Sequence, residues 1–92
     1  MENIFEELKL ERKVWIEVTD DEKLFAFIRT KCFNTSVKIY NEELEIVDGH
    51  SHPDGQNTGV DYQFDFKKHP TGKYIIDIGI DLKHYEFEIK KT

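Results

Sequence analysis

The chain has a single cysteine, Cys32, so no internal disulfide can form and the fold must rest on its core. No apolar run approaches the ~20 residues a membrane-crossing helix needs. Basic residues are too few and too scattered for a nucleic-acid backbone or an anionic membrane: the net charge is −6, with 7 basic and 11 acidic residues in positions 1–46 and 6 and 8 in positions 47–92. The sequence holds no Ser-His-Asp order, no Gly-rich phosphate loop and no Cys-x-x-Cys pair, and so offers no ready set for acyl transfer, nucleotide binding or dithiol chemistry. Repeats, low-complexity tracts and dividing linkers are also missing. The acidic, amphipathic N-terminus lacks the basic start and apolar run of a signal peptide, which leads us to expect a cytoplasmic protein.

What remains is one domain of 92 residues, rich in rings: seven Phe, four Tyr and one Trp. A chain of this length buries somewhat over ~60% of the surface its unfolded form exposes, so a core fits but a deep cleft beside it does not. Each buried ring withdraws roughly 150–250 Å² from water.

Hydrophobic spacing predicts an α+β domain. Ile4, Phe5 and Leu8 predict a first helix over residues 2–10. Residues 13–18 alternate as a strand. Thr19-Asp20-Asp21-Glu22 matches a capping box, and Leu24, Phe25, Ile28 and Cys32 then line one stripe of a second helix over about 20–31. On that stripe Cys32 reads as a small core residue. Residues 36–40 and 44–47 predict a hairpin, and 48–59 a polar loop that anchors no core. Strict alternation over 60–67 and 73–82 predicts an antiparallel pair, with Tyr62, Phe64, Phe66, Ile76, Ile78 and Ile80 buried. Parity changes near 82–84, so a turn or bulge precedes a last strand of about 84–90. The expected architecture is one antiparallel sheet of about five strands with two helices on one face.

Two constellations could carry function. The first is the loop holding His50, His52, Asp54 and Asp61, imidazole and carboxylate groups of the kind Zn²⁺ takes at ~2.0–2.2 Å. His50-Ser-His52-Pro53 resembles the His-x-His-Pro heart of the JAMM/MPN metallopeptidases, in which both histidines and a later Asp bind zinc, and Thr58-Gly-Val-Asp61 is similar to that later segment. The resemblance implies zinc on His50, His52 and Asp61. It covers about a dozen residues, and its His-to-Asp spacing is two residues shorter than the family pattern. The chain is also shorter than that fold normally needs, and alternating residues follow Asp61 where the family has a helix. No family is recognised across the whole chain. A solvated turn-rich loop accounts for the same residues, and His69 and His84 read as exposed turn residues.

The second constellation is electrostatic. If 60–67 pairs with 73–82, Asp61, Asp65, Asp77 and Asp81 share the wet face, and Glu86 and Glu88 extend it. Like charges opposite each other on a sheet are mildly destabilising. A chain that keeps such a row can use it to meet a basic surface. The reading reached is a small acidic protein-binding module, of inhibitor or immunity type, that occludes a basic partner such as a nuclease toxin. It is not an enzyme in this reading and needs no cofactor, nucleic acid or membrane. The alternatives are a metal-dependent hydrolase or metal-binding module on the His50–Asp61 loop, and a homo-oligomeric subunit pairing through an exposed strand edge.

Overall fold

The computed structural model describes residues 13–52 and 59–92. Across those residues period-two alternation governs every element. Seven strands form: β1 (Val14–Val18), β2 (Lys23–Ile28), β3 (Thr35–Tyr40), β4 (Ile46–His52), β5 (Val60–Asp65), β6 (Gly72–Ile80) and β7 (Lys83–Lys91). They make two antiparallel sheets, β1-β2-β5 and β4-β3-β6-β7. The fold is therefore all-β among the described residues, not α+β. In strand order it is an immunoglobulin-like Greek-key sandwich with the fourth strand beside β3 instead of beside β5.

Sheet packs on sheet where helices were expected to pack. Val14, Ile16, Leu24, Ala26, Ile28, Tyr62 and Phe64 from the first sheet meet Val37, Ile39, Tyr74, Ile76, Ile78, Phe87 and Ile89 from the second. The expected helix over 20–31 is strand β2 and its flanking turns. Leu24, Ala26 and Ile28 face the core, while Phe25 and Phe27 lie half-buried on the outside, stacked with each other and with Trp15. A helical stripe accounts for Phe25 but strands Phe27. Alternation accounts for both, and β-branched and aromatic residues suit a pleated surface. Cys32 is buried as expected, although it sits in an isolated bridge instead of a helix. The expected helix over 2–10 lies outside the described residues.

Thr19–Glu22 is a hairpin turn and not a helix cap. The Thr19 N–H donates to Lys23 O, the Glu22 N–H to Thr19 O, and Glu22 holds φ 59°. The Thr19 hydroxyl bonds the Asp21 carboxylate and accepts the Lys23 N–H at 3.2 Å. This is a three-residue loop closed by a left-handed residue. The β3–β4 hairpin repeats it: the Asn41 N–H donates to Glu45 O, the Leu44 N–H to Asn41 O, and Leu44 holds φ 62°.

The predicted pairing of 60–67 with 73–82 is also corrected. β5 pairs with β2, and β6 pairs with β3 and β7. The six residues predicted to be buried are buried, but they face one another across the sandwich. Alternation assigns a face and leaves the neighbouring strand unspecified. The chain crosses from β5 to β6 at a tyrosine corner, where the Tyr74 hydroxyl donates to Pro70 O at 2.5 Å. The parity change falls at the two-residue turn Asp81-Leu82.

Candidate functional site

The stretch expected to be a loop from residue 48 is strand β4 up to His52, at the free edge of the second sheet. A bulge opposite Ile39 and Tyr40 turns both Val47 and Asp48 towards the other sheet. From there Asp48, His50 and His52 form a polar inward row. His50 stacks on Phe64 with ring centroids 5.2 Å apart. His52 Nδ1 lies 3.0 Å from the Tyr62 hydroxyl, which is 2.5 Å from Thr35 Oγ1. Burial pushes the Tyr62 phenol up, against the pull of its bonds to Thr35 and His52.

His69 is 7% exposed and thus buried, contrary to the exposed turn position expected for it. Its Nε2 lies 3.4 Å from Asp48 Oδ2, and its ring packs edge-on to Phe66. Asp48 also meets Lys68 Nζ at 3.3 Å and accepts the Gly49 N–H at 2.9 Å. Burial raises the Asp48 pKa, but these donors outweigh it and hold the carboxyl below its ordinary value. Sequence reasoning missed this pair because its members are separated along the chain and meet only through the fold.

Asp61 does not join His50 and His52. It lies on the outer face of the first sheet, ion-paired with Arg29, while both histidines turn inward. Asp54 lies outside the described residues. Among the described residues, no three His, Cys, Asp or Glu side chains gather in a way that could hold a metal ion.

Five of the six acidic residues divide between the two outer faces. Asp61 and Asp65 belong to the first sheet, and Asp77, Glu86 and Glu88 to the second. Asp81 sits in the β6–β7 turn at φ 53°, where its carboxylate accepts the N–H groups of Phe33 and Asn34 at 3.0 and 2.9 Å. Asp77 is only 15% exposed and bonds His84 Nδ1 at 3.1 Å. Asp65 accepts the Lys67 N–H. Glu86 and Glu88 are exposed on edge strand β7.

The strand registers place these groups in rows across the second sheet. One row runs Ile46, Tyr40, Ile75, Glu88, and the next runs Gly49, Lys38, Asp77, Glu86. Ile46 is 58% exposed, and Leu44, in the turn just before it, is 67% exposed. Leu44, Ile75, Lys73, Glu42 and Glu88 line a shallow depression of about 210 Å³ beside this row. Glu43 and Glu45 flank Leu44 in the same turn. The result is an apolar centre rimmed mainly by carboxylates, with Lys73 among them. Asn41 stiffens it: its Oδ1 accepts the N–H groups of Glu43 and Glu45, and its Nδ2 donates to Glu45 Oε1. The signal available in the sequence was Leu44 amid Glu42, Glu43 and Glu45, an apolar residue placed where a turn favours Gly or Asn.

The first sheet's outer face carries Trp15, Phe27 and Phe25 in one stacked run, with the Arg29 guanidinium 5.4 Å from the Phe27 centroid. Asp61 raises the Arg29 pKa and fixes the guanidinium there.

No family model matches the chain, and no curated protein matches it in sequence.

Proposed function

We propose that this domain is a small binding module that occludes a basic protein partner through the β3–β4 end of its second sheet. The observation that carries this reading is Leu44. It is 67% exposed and held at φ 62°, a region that penalises every residue with a Cβ. A turn selected only for stability and solubility favours Gly there. An exposed leucine, kept at a conformational cost and stiffened by five hydrogen bonds of Asn41, fits a residue displayed for contact. Ile46, Tyr40 and Ile75 extend the apolar centre. Glu42, Glu43, Glu45, Glu86 and Glu88 supply a rim that is mainly acidic, with Lys73 the cation beside it, and an excess of one sign selects and steers a partner of the other. An inhibitor or immunity-type role against a basic toxin suits these features. The single buried cysteine and acidic surface suit the cytoplasm.

The test is affinity isolation with the wild-type domain, followed by titration of the purified partner against variants. Leu44→Gly and Ile46→Ser should each weaken binding at least tenfold, whereas Leu82→Gly, at a 97% exposed residue in a different turn, should not. The partner should carry net positive charge. An acidic partner, or equal losses at positions 44 and 82, rules the reading out.

A further inference from the structure

Four strand edges are left open among the described residues, and they are not alike. β1 spans five residues and β5 six. β4 is broken by its bulge and turns Asp48, His50 and His52 inward. Bulges, shortness, inward polar groups and charged edge side chains are the usual guards against edge pairing, and of these β7 carries the charges, with Lys91 turned inward only at its last residue. β7 runs nine residues in continuous register with β6, and no bulge interrupts it. Between His84 and Lys90 its inward side chains are Tyr85, Phe87 and Ile89, and its charges lie on the outer face.

The register also fixes which backbone groups are free. Ile80 and Lys83 flank a two-residue turn and so form a hydrogen-bonded pair. Counting by two, Tyr85, Phe87 and Ile89 bond to β6. His84, Glu86, Glu88 and Lys90 direct their N–H and C=O groups to the open edge. Beside the end of that edge, Val18, Phe66 and Ile89 wall a cavity of about 140 Å³ in the seam between the sheets. Lys91 closes its floor: the ammonium donates to Phe66 O and His69 O, both at 2.6 Å, and pairs with Glu22. A cavity near 150 Å³ holds a benzene-sized group, so this one has room for one apolar side chain.

We propose that β7 captures an extended segment of the partner as an eighth strand, with an apolar side chain of that segment seated in the Val18–Phe66–Ile89 cavity. This rests on the reading of a basic partner given above and specifies how that partner docks. Strand addition draws affinity from main-chain hydrogen bonds and specificity from pockets for alternate side chains. Residues opposite Glu86 and Glu88 are then basic, since opposite charges stabilise cross-strand pairs. Residues opposite Phe87 and Ile89 are apolar. Over Glu86 to Ile89 the segment therefore alternates basic and apolar positions, while the residue opposite Lys90 is not basic. A second copy of this chain fits less well, because antiparallel pairing of β7 with itself, centred on residues 86 to 88, sets Glu against Glu.

The probe is the peptide acetyl-Arg-Leu-Arg-Leu-Arg-amide, with acetyl-Glu-Leu-Glu-Leu-Glu-amide and acetyl-Arg-Arg-Arg-Leu-Leu-amide as controls. Amide hydrogen exchange followed by NMR should slow at least tenfold at His84, Glu86, Glu88 and Lys90 with the alternating basic peptide only. Val18→Trp fills the cavity from a half-exposed position, and Glu88→Pro removes a free edge donor without touching the β6 ladder. Each should weaken the peptide at least tenfold, and thermal melts confirm that the variants fold. Should Glu88→Pro unfold the domain, Val18→Trp still decides. Equal binding of the controls, or unchanged exchange along β7, overturns the proposal. So does light scattering that shows a dimer with β7 already protected, which assigns the edge to a second copy. Partner binding that is lost in Leu44→Gly while the peptide leaves β7 unprotected sinks the strand and spares the basic-partner reading. Peptide protection of β7 with Leu44→Gly harmless to the partner does the reverse.

Discussion

Leu44 sets stability against function within one side chain. A left-handed conformation costs a residue with a Cβ roughly 1–2 kcal/mol, and glycine escapes most of that while paying back some chain entropy. Leu44→Gly should therefore raise stability by about 1 kcal/mol, which lifts the thermal midpoint by roughly 4–8 °C in a domain of this size. The same substitution should weaken partner binding. A variant that gains stability and keeps its affinity would mean that Leu44 is merely tolerated. Asp48 makes a second residue-level prediction. Its folded pKa is depressed, so its contribution is present at neutral pH and lost as pH falls through the carboxylate range. Asp48→Asn should be less stable than wild type at pH 7, and its stability should fall less steeply between about pH 5 and 2, as urea melts would record. Little of this was legible in the sequence. Glu22, Leu44 and Asp81 all hold positive φ without being glycine, and Asp48 meets His69 only because the β5–β6 corner folds back beneath β4.

The elements were legible to different depths, and the reason is the information each carries. β1, β5, β6 and β7 announced themselves through alternation, which fixes inner and outer faces whatever the neighbour. β2 was misread because Thr19-Asp-Asp-Glu22 satisfies the same local chemistry as a helix cap. A hydroxyl accepting a nearby backbone N–H serves a three-residue hairpin loop equally well. β4 was foreseen as the second arm of a hairpin only up to Val47, and its continuation to His52 was hidden because an edge strand on a bulge needs few apolar residues. Its inward groups are Val47 and then Asp48, His50 and His52, which pack on rings instead of joining the apolar core. The buried faces give a clear prediction. Ile78 is fully buried on β6, between Val37 on β3 and Tyr85 on β7. Ile78→Ala should cost roughly 2–5 kcal/mol through lost burial and a residual cavity. A loss below about 0.5 kcal/mol in a urea melt would contradict the placement of β6 at the centre of the second sheet.

At the scale of the molecule, the pairing of β5 with β2 and of β6 with β3 and β7 turns one expected acidic face into two distinct surfaces. The first sheet carries acids around a stacked Trp15–Phe27–Phe25 run with Arg29 neutralising Asp61. The second carries Glu86 and Glu88 next to the Leu44 patch and the open β7 edge. Net charge belongs to both, so net charge alone cannot say which meets a partner. Charge reversal on matched pairs can. Glu86 and Glu88 changed together to Lys alter the net charge by the same amount as Glu17 and Asp65 changed together to Lys on the opposite sheet. Long-range attraction is screened over ~8–10 Å at physiological ionic strength, so only charges near the interface act with full strength there. Association of the basic partner, followed by stopped flow, should slow markedly for the β7 pair and little for the first-sheet pair. The gap between them should narrow as salt rises. Equal slowing would mean that bulk charge alone attracts the partner. Slowing confined to the Glu17 and Asp65 variant would move the interface to the aromatic face of the first sheet.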